Sequence, residues 1–553
     1  MGMKRFVGIG VCGGVAFGRV HLLQRESAEV VKRTVDRTEE ELARLEAAKR
    51  RAIDALSAIG QEAARAVGDA DAEIFEIHAM MVEDEDYNES IRRIIEEERV
   101  NAEYAVSVAG ERLATSFEEM DDAYMQARAA DIRAVTERIL AGFSGERVCK
   151  IEIPYEHSVI CADDLSPAET VSLDKTRVEA FVTAQGSQSS HTAILARSLG
   201  IPAIVGVGES LLRAVRDGEE IAVDGHRGEA FLLPDEAVRE RLLRRQRQDA
   251  EEHSMLERLK GKENVTADGR RIRIYANIGD VGQIDEALAQ DAGGIGLFRS
   301  EFLFLDRRDL PSEEEQTRAY RELLLRMEGR RVIVRTLDVG ADKQTNAIAL
   351  PSEGNPALGV RGARLYRWHP HLIRTQLRAL LRASVEGRLG IMFPMITSTG
   401  EVEALLRLWE EIAEELGREG YPVSDRIERG IMIETPAAAL ISDRLAERVD
   451  FFSIGTNDLT QYTLACDRQN PRVAEECDPH HEAILRLIGM TVQNAHRCGA
   501  WVGICGELAA DAELTRRFLE MEIDELSVTP SEILRLRKRV REIDLGDGST
   551  AAH

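Results

Sequence analysis

The stretch Gly430-Ile431-Met432-Ile433-Glu434 is a short apolar run that ends on a carboxylate. Brief, bounded apolar runs are typical of buried parallel strands. Four more such runs in the second half of the chain lead into chemically demanding side chains, which are Arg299, Arg335, Asn457 with Asp458, and Cys505. In a (β/α)8 barrel the reactive groups lie at the carboxyl ends of several strands, so the recurrence predicts one shared site.

Three further apolar runs bring the predicted strands to eight: Ile272–Ile278, Ile391–Ile396 and Leu526–Val528. Helical patterns lie between them, at Glu313–Met327, Leu372–Val385, Glu401–Leu416, Ala437–Glu447, His481–Cys498 and Ala512–Met521. Strands that alternate with helices favour a parallel sheet, and roughly 250 residues are enough for the closed eightfold form. We therefore predict a C-terminal (β/α)8 TIM barrel over residues 262–553.

The chain ahead of the barrel changes character three times. Residues 3–21 are punctuated by glycine and predict a strand pair, and residues 148–233 contain strand-like runs again. Between them, proline-free and highly charged sequence has apolar residues three and four apart, which is typical of antiparallel amphipathic helices. The predicted α/β multidomain fold has an α/β domain (1–21 and 146–233), an inserted α-helical subdomain (22–145) and a connecting helix (234–261).

The overall charge is acidic, with 98 Asp and Glu against 72 Lys and Arg among 553 residues. This balance disfavours nonspecific binding to nucleic acid or to an anionic membrane, and it suits a basic protein partner. A solvated acidic surface that has no partner is the simpler alternative. No apolar run approaches the roughly 18 residues that a membrane helix needs, so no membrane insertion is expected.

The seven cysteines contain no CxxC pair and no regular framework. Disulfides are rare in the cytoplasm, where thiols are kept reduced. We therefore expect reduced thiols and a cytoplasmic protein.

A second chemical locus is the segment Ser190-His191-Thr192-Ala193, where a loop of small polar residues leads into an apolar helix. Unpaired N–H groups and the positive end of the helix dipole favour an anion such as phosphate at a helix start. An imidazole is also a competent nucleophile at neutral pH. A histidine in this place is more often structural or a solvated cap, so the segment alone does not establish a catalytic role.

The whole chain resembles Enzyme I of the bacterial sugar phosphotransferase system, the phosphoenolpyruvate-protein phosphotransferase. Long motifs carry the resemblance, in the family's order and at suitable separations. They are Ser190–Ala193 followed by Ile201–Gly206, Thr336–Gly340, Gly430–Pro436, Ser453–Tyr462 and Gly503–Glu507. The resemblance implies that the α/β domain is a phosphohistidine domain.

Phosphoenolpyruvate, the substrate that the resemblance implies, is a small trianion. A site for it needs forked cationic groups and a hard divalent metal. The positions that match the family's substrate-binding residues are Arg299, Arg335, Arg361, Asn457, Asp458 and Arg468. Glu434 and Asp458 match the ligands of Mg²⁺, the implied cofactor, and two carboxylates with substrate oxygens and waters suit that ion.

The resemblance also implies two groups that take part in the chemistry. His191 Nε2 is the expected phosphoryl acceptor, and Ser166 matches a hydroxyl near the active histidine, although a turn-forming serine before proline explains it equally well. Cys505 matches the family's proton donor to the enolate, with a buried structural cysteine as the alternative. Asp338 and Lys343 either set the charge of the third-strand loop or form a structural ion pair.

The implied partner is the histidine-containing carrier protein HPr, which would dock on the helical subdomain. His78, Met80 and Met81 lie in a stretch that matches a family helix at that surface. We expect them to contact the carrier, because methionine adapts to partner surfaces and the acidic rim could steer a basic patch. An ordinary inter-helix core is the alternative interpretation of this stripe. Family barrels pair, so a homodimer is also expected.

The sequence therefore predicts an enzyme that passes phosphate from phosphoenolpyruvate to its own His191 and then to HPr, releasing pyruvate. Three alternatives share the fold. They are a regulatory phosphorelay fed by the same chemistry, a catalytically silent interaction protein, and a lyase of enolate chemistry without phosphotransfer. The segment Gly186-Ser187-Gln188-Ser189 departs from the Gly-Gly-Arg-Thr that many family members have. We expect the absence of this arginine to affect reaction rates and carrier recognition more than the type of reaction.

Overall fold

The computed structural model describes most of the chain and divides it into two compact units, Met1–Glu252 and His253–His553. The described residues are 2–23, 30–67, 69–118, 123–144, 153–165, 173, 175–186, 190, 192–193, 196–197, 200–304, 309–340, 348, 353–468, 470, 472–473 and 476–546.

The first unit contains an eight-stranded mixed sheet in the order β1-β8-β7-β3-β4-β5-β6-β2. Its strands are β1 Lys4–Val7, β2 Ile9–Cys12, β3 Val15–Leu23, β4 Ser158–Ala162, β5 Val178–Thr183, β6 Ala203–Val205, β7 Glu220–Asp224 and β8 Glu229–Leu232. The core of this sheet is formed by apolar side chains that pack together, such as Val20, Val159, Val182, Ile204 and Val223.

The strand pair predicted over residues 3–21 is wrong, although the strands themselves are present. β2 lies at the sheet edge beside β6, while β3 lies inside the sheet between β7 and β4. Gly14, at φ 122°, joins the two strands in a backbone conformation that few other residues adopt. Long-range pairing on both sides of β3 thus replaces the local hairpin.

Five helices follow β3: α1 Thr38–Val67, α2 Asp69–Val82, α3 Glu85–Glu98, α4 Ala102–Glu118 and α5 Ala123–Ser144. Their apolar stripes form one core, in which Leu45, Ile91, Val106 and Ile139 are buried. Helix α3 begins after Asp84, whose carboxylate accepts a hydrogen bond from the N–H of Tyr87 at 2.8 Å, as N-cap residues do. The helical pattern predicted for this region is therefore present.

Two further described helices are α6 Ser210–Ala214 and α7 Glu236–Glu257. Helix α7 begins in the first unit, ends in the second, and lies at the predicted connecting helix. None of the described helices of the protein combines the length and the apolar character needed to cross a bilayer. The domain boundaries given above stay predictions.

The second unit is a closed barrel of eight parallel strands, as predicted. The strands are β9 Arg273–Ile278, β10 Gly294–Arg299, β11 Arg331–Arg335, β12 Arg388–Phe393, β13 Glu428–Ile433, β14 Phe451–Ile454, β15 Trp501–Ile504 and β16 Glu525–Val528. Closure comes from β16 beside β9, with Glu525 opposite Arg273 and Val528 opposite Ala276.

Helices cover the outside of the barrel. They are α8 Ile284–Ala289, α9 Glu313–Arg326, α10 Leu365–Trp368, α11 Pro370–Ala383, α12 Thr399–Glu419, α13 Pro436–Leu440, α14 Ser442–Ala446, α15 Thr456–Leu464, α16 Glu482–Arg497, α17 Thr515–Glu520 and α18 Ile533–Glu542. Short 3₁₀ turns lie at Val281–Gln283, Ser300–Leu303, Pro356–Leu358, Gly362–Arg364, Ser384–Glu386, Glu507–Ala510 and Pro530–Glu532.

Two layers fill the barrel interior. The apolar layer contains Leu297, Ile333, Met392, Met432, Phe451 and Cys505. A Cβ on Gly430 would lie 2.2 Å from the Phe451 ring, so only glycine leaves room for that aromatic side chain. Toward the amino ends of the strands, Trp501 stacks on Phe451 with ring centroids 4.6 Å apart, and the buried carboxyl of Glu525 lies among arginines.

The expectation of reduced thiols is wrong for two cysteines. Cys466 and Cys477 form a disulfide, with their Cα atoms 5.8 Å apart. Among the described cysteines, Cys12, Cys161, Cys498 and Cys505 are free thiols. The pair has no sequence signature, because the approach of the two residues depends on how the loop after α15 folds back toward α16.

Candidate functional site

The carboxyl ends of the barrel strands bring together the residues that the sequence predicted there. Arg299 and Arg335 are the last residues of β10 and β11, and Glu434 follows β13 directly. Asn457 and Asp458 lie in the first turn of α15, just after β14, and Cys505 follows β15. Since parallel strands place their carboxyl ends on one rim, these side chains share one end of the barrel.

Arg335 is buried and held by carboxylates. Its Nη2 donates to Glu301 Oε1 at 2.7 Å, and Nη1 lies 3.5 Å from Asp338 Oδ2. Burial alone would lower the pKa of this guanidinium, but the charges of Glu301 and Asp338 raise it above its ordinary value. The cation is therefore permanently charged and fixed in place before any ligand arrives.

Arg361 is held in the same manner from another direction. Its Nε and Nη2 donate to the two carboxylate oxygens of Asp338, at 3.2 and 2.8 Å, in a bidentate pair. Its Nη1 reaches Asp458 Oδ1 and the Tyr462 hydroxyl, each at 3.3 Å. Asp338 thus joins two buried arginines, a pairing that fits both the charge-setting role and the structural ion pair considered for it.

Arg299 and Arg468 are the more accessible arginines. Arg299 is exposed at the end of β10, and its pKa is lowered by partial desolvation and by the like charge of Arg335. Arg468 is exposed in the loop after α15. The two buried arginines and the accessible Arg299 provide cations that suit a small anion with several charged oxygens.

Glu434 has the features of a metal ligand. Its Oε1 accepts the Met395 N–H at 2.5 Å, while its Oε2 is buried with no hydrogen-bond partner among the described residues. Burial and the neighbouring charge of Asp458 raise the pKa of Glu434 to about 8. A bound cation would give Glu434 Oε2 a partner and would reduce the repulsion between the carboxylates of Glu434 and Asp458. These two residues therefore fit Mg²⁺.

Asn457 and Cys505 lie beside this carboxylate pair. Asn457 Nδ2 donates to Glu507 Oε1 at 2.8 Å, and the Glu507 N–H donates to Asn457 Oδ1 at 3.1 Å, which fixes the amide. The thiol of Cys505 is 5% exposed and donates to the Ile454 carbonyl at 3.7 Å. Burial raises the pKa of Cys505 to about 11, so at neutral pH the sulfur carries a proton that it can give away.

The histidine segment of the first unit is only partly described. His191 and Ser166, and Lys343 of the barrel, lie outside the described residues. Next to His191, Thr192 is buried and its hydroxyl donates to Asp164 Oδ1 at 3.0 Å. Residues 192–193 and 196–197 are helical, in agreement with the predicted helix start.

The residues predicted to contact the carrier differ in accessibility. Met80 is 54% exposed, whereas Met81 packs partly buried against the helical core. His78 is buried, and its Nε2 lies 3.3 Å from Asp131 Oδ1. Met80 lies on the surface of α2, and His78 lies beneath it.

Glu301 and Tyr462 contact the arginines of the barrel site but were not predicted as site residues. Glu301, the partner of Arg335, stands two positions after Arg299, and an acidic residue so close to a strand-end arginine is a usable signal. Tyr462 stands four positions after Asp458, which on a helix places both on one face toward Arg361. Glu301 neutralises the charge of Arg335, and the Tyr462 hydroxyl accepts a hydrogen bond from Arg361.

Three family models match the chain: the PEP-utilising enzyme N-terminal model (7–128), its mobile-domain model (153–228) and its PEP-binding-domain model (253–545). Together with the barrel fold and its site, these matches define a PEP-utilising enzyme, where PEP is phosphoenolpyruvate.

Similar curated proteins narrow the class. The phosphoenolpyruvate-protein phosphotransferase of Priestia megaterium is 41% identical over 98% of this chain and 95% of its own length. That of Geobacillus stearothermophilus is 43% identical over 98% of this chain and 93% of its own. A solution structure of an Enzyme I protein is 32% identical, covering 44% of this chain and 99% of the solved one, with a TM-score of 0.38. The chain belongs to the phosphoenolpyruvate-protein phosphotransferase family.

Proposed function

We propose that the protein transfers the phosphoryl group of phosphoenolpyruvate to His191 and then to a histidine of HPr, the first step of phosphotransferase sugar uptake. Membership of a transferase family over nearly the full chain supports this reaction. The observation that carries the proposal is the convergence of fixed arginines, the unpartnered Glu434 oxygen and the protonated Cys505 at one end of the barrel.

In this proposal the arginines bind and orient the substrate. Arg335 and Arg361 are held in place by Glu301 and Asp338, so their N–H groups need no reorganisation when the substrate binds. Such prearranged donors are the main source of catalysis in phosphoryl transfer. The accessible pair, Arg299 and Arg468, neutralises the remaining charge, and the Asn457 amide contributes a hydrogen bond to the substrate.

The covalent change is the exchange of one bond at phosphorus. The bond from phosphorus to the enol oxygen breaks as a bond to His191 Nε2 forms, and the electron pair stays on the enolate. Cys505 then gives its proton to the terminal carbon of the enolate, which yields pyruvate. His191 belongs to the first unit and the barrel residues to the second, so the transfer requires a step in which His191 reaches the substrate that the barrel holds.

Mg²⁺ is the proposed cofactor, held by Glu434 and Asp458. When bound it would neutralise developing charge on the substrate oxygens. Carboxylate oxygens are the hard ligands that Mg²⁺ prefers, and the Cys505 thiol beside them keeps its proton at neutral pH because burial raises its pKa.

The partners are proposed from the family. We propose that HPr docks on the α-helical subdomain, residues 22–145, with Met80 as a direct contact and with Met81 and His78 supporting that surface. We also propose a homodimer through the barrel. From the family we propose a cytoplasmic location, in which the Cys466–Cys477 disulfide is an exception to the usual reduced state of thiols. The phosphohistidine domain is assigned to residues 1–21 and 146–233, and α7 lies within the connecting segment, residues 234–261.

The test is incubation of the full-length protein with phosphorus-labelled phosphoenolpyruvate and Mg²⁺, beside the His191→Ala variant. We expect acid-labile, base-stable label on the native protein together with pyruvate, and neither with the variant. Native protein that stays unlabelled at dimer-forming concentrations would overturn the proposal. Pyruvate that His191→Ala still releases would favour a lyase instead.

A further inference from the structure

The Cys466–Cys477 disulfide lies in the loop that connects α15 to α16. Cys466 is 8% exposed, and its N–H donates to the Gln461 carbonyl of α15 at 3.2 Å, so this half of the disulfide is anchored on the helix. Cys477 stands 11 positions later, ahead of α16. The bond therefore closes the loop at its base.

Arg468 stands two residues after Cys466, inside the closed loop. Its side chain is exposed, and its N–H donates to Gln461 Oε1 at 3.3 Å. The other backbone bonds that the described part of this loop shows are short-range turns: Asn470 to Asp467, Val473 to Asn470 and Glu476 to Val473. Such turns shape the loop but do not attach its far end to α15.

Helix α15 also carries groups of the barrel site. Arg361 donates hydrogen bonds to Asp458 and Tyr462, and Cys466 stands two residues after the end of the helix at Leu464. A covalent link between Cys466 and Cys477 thus limits where Arg468 can lie relative to Arg361 and Asp458. Opening the link would leave the loop more conformations, since a cross-link removes chain entropy.

We propose that this disulfide is a positioning element for Arg468, and that opening it weakens the binding of phosphoenolpyruvate while turnover stays nearly unchanged. The inference rests on the proposed function. An arginine that is already ordered avoids the entropic cost of immobilisation on binding, so the expected rise in KM is about two- to tenfold.

The reaction that opens the loop is thiol–disulfide exchange. A dithiol reductant breaks the Cys466–Cys477 bond, supplies two electrons and two protons, and becomes a cyclic disulfide itself. Two thiols, at Cys466 and Cys477, remain on the protein. The thiols of Cys12, Cys161, Cys498 and Cys505 are already reduced and do not change in this step.

The experiment compares full-length protein purified without reductant with the same protein after dithiol treatment. Alkylation and peptide mass analysis first establish whether Cys466 and Cys477 are joined. Initial rates of pyruvate release at varied phosphoenolpyruvate then give KM and kcat for the wild type, for Cys466→Ser/Cys477→Ser, and for Cys498→Ser as a matched control with an exposed free thiol.

Reduction should raise KM in the wild type and in Cys498→Ser, with kcat changed less than twofold. The double variant should have the raised KM under both conditions. In an Arg468→Ala background reduction should shift KM no further, because the disulfide acts through that side chain. A general loss of structure would instead lower kcat or the active fraction.

The remaining outcomes overturn the inference in distinguishable ways. Equal KM values before and after reduction, with normal turnover, would remove the positioning role and leave the proposed function intact. The same follows if Cys466 and Cys477 are both free thiols in the unreduced protein, or if KM in Arg468→Ala still responds to the dithiol. No turnover in either state would overturn the proposed function and this inference with it.

Discussion

Cys505 shows how one residue's environment sets its chemistry. Burial raises the pKa of its thiol to about 11, and the hydrogen bond with Ser453 only partly opposes this rise. The thiol therefore stays protonated throughout the neutral range. A proton donor needs this state, whereas a nucleophilic cysteine would need a lowered pKa.

For Cys505→Ala we expect pyruvate release to fall by about 10²- to 10⁴-fold, the usual contribution of a general acid, with substrate affinity retained. The measurement is pyruvate release at saturating substrate, together with substrate binding by calorimetry. Because the pKa is raised, the wild-type rate should show no fall from Cys505 deprotonation between pH 6 and pH 9 or so.

Cys498→Ala is the control for that prediction, since Cys498 is an exposed free thiol on the outer side of the barrel. It should leave the rate of pyruvate release unchanged. A Cys505→Ala protein that turns over at the native rate would remove Cys505 from the mechanism and make it a packing residue.

The strand-end residues could be predicted from sequence because an apolar run followed by a charge fixes which rim of a parallel barrel the charge occupies. The sequence can suggest that Glu301 lies near a buried cation, but the particular pairs Arg335 with Glu301 and Arg361 with Asp338 depend on how the segments after β10 and β11 place their side chains. The Cys466–Cys477 disulfide was not predicted either, because it depends on how the loop after α15 folds and the spacing of the two cysteines gives no signature.

At the level of elements, the amino-terminal ends of the barrel strands hold a buried polar layer. Glu525 is 1% exposed, and its Oε2 has no hydrogen-bond partner among the described residues. Burial raises the pKa of Glu525 to about 8, even though Arg331 and Arg273 lower it. Both arginines lie over the Trp501 ring, at 4.9 and 5.1 Å from its centroid.

The raised pKa of Glu525 makes barrel stability depend on pH. Between about pH 4.5 and pH 8 the folded carboxyl keeps a proton that the unfolded one has lost, so stability falls as pH rises, by up to about 1.4 kcal/mol per pH unit. Glu525→Gln should flatten this part of the profile. The measurement is the free energy of unfolding in denaturant at several pH values.

Glu209→Gln provides the comparison for Glu525→Gln, because Glu209 forms an exposed pair with Arg213 on α6. It should change stability by less than about 1 kcal/mol at every pH. Parallel pH profiles for the wild type and Glu525→Gln would contradict the assigned proton.

One outer element differs from the pattern predicted for it. The apolar spacing over Ala437–Glu447 predicted one helix, but the structure has α13 and α14, which are divided at Ile441. The hydroxyl of Ser442 donates to the Ala439 carbonyl at 2.8 Å, a local bond that competes with helix continuation. Periodicity places the apolar face of a segment but does not reveal such a break.

For the molecule as a whole, the two compact units predict separable functions. The barrel has its own closed sheet and its own continuous core, so a chain that starts at residue 258 should fold alone. It should bind phosphoenolpyruvate with Mg²⁺ about as tightly as the intact protein, yet carry no label because His191 is absent. Thermal unfolding and calorimetric binding are the measurements.

The full-length His191→Ala variant is the reference for that experiment, since it lacks the acceptor but keeps both units. The shortened chain and this variant should bind the substrate equally. If the shortened chain fails to unfold cooperatively, the barrel depends on the first unit and the separation is wrong.

The pairing of β16 with β9 has a consequence for how the protein is made. The ribosome synthesises β9 more than two hundred residues before β16. The nascent barrel therefore has an unpaired edge at β9 until Glu525–Val528 has left the ribosome. Arg537 of α18, which bonds Asn264, Asp291 and the Leu259 carbonyl, emerges later still. A ribosome that stalls before this point would hold a barrel with an unpaired strand, a natural target for chaperones.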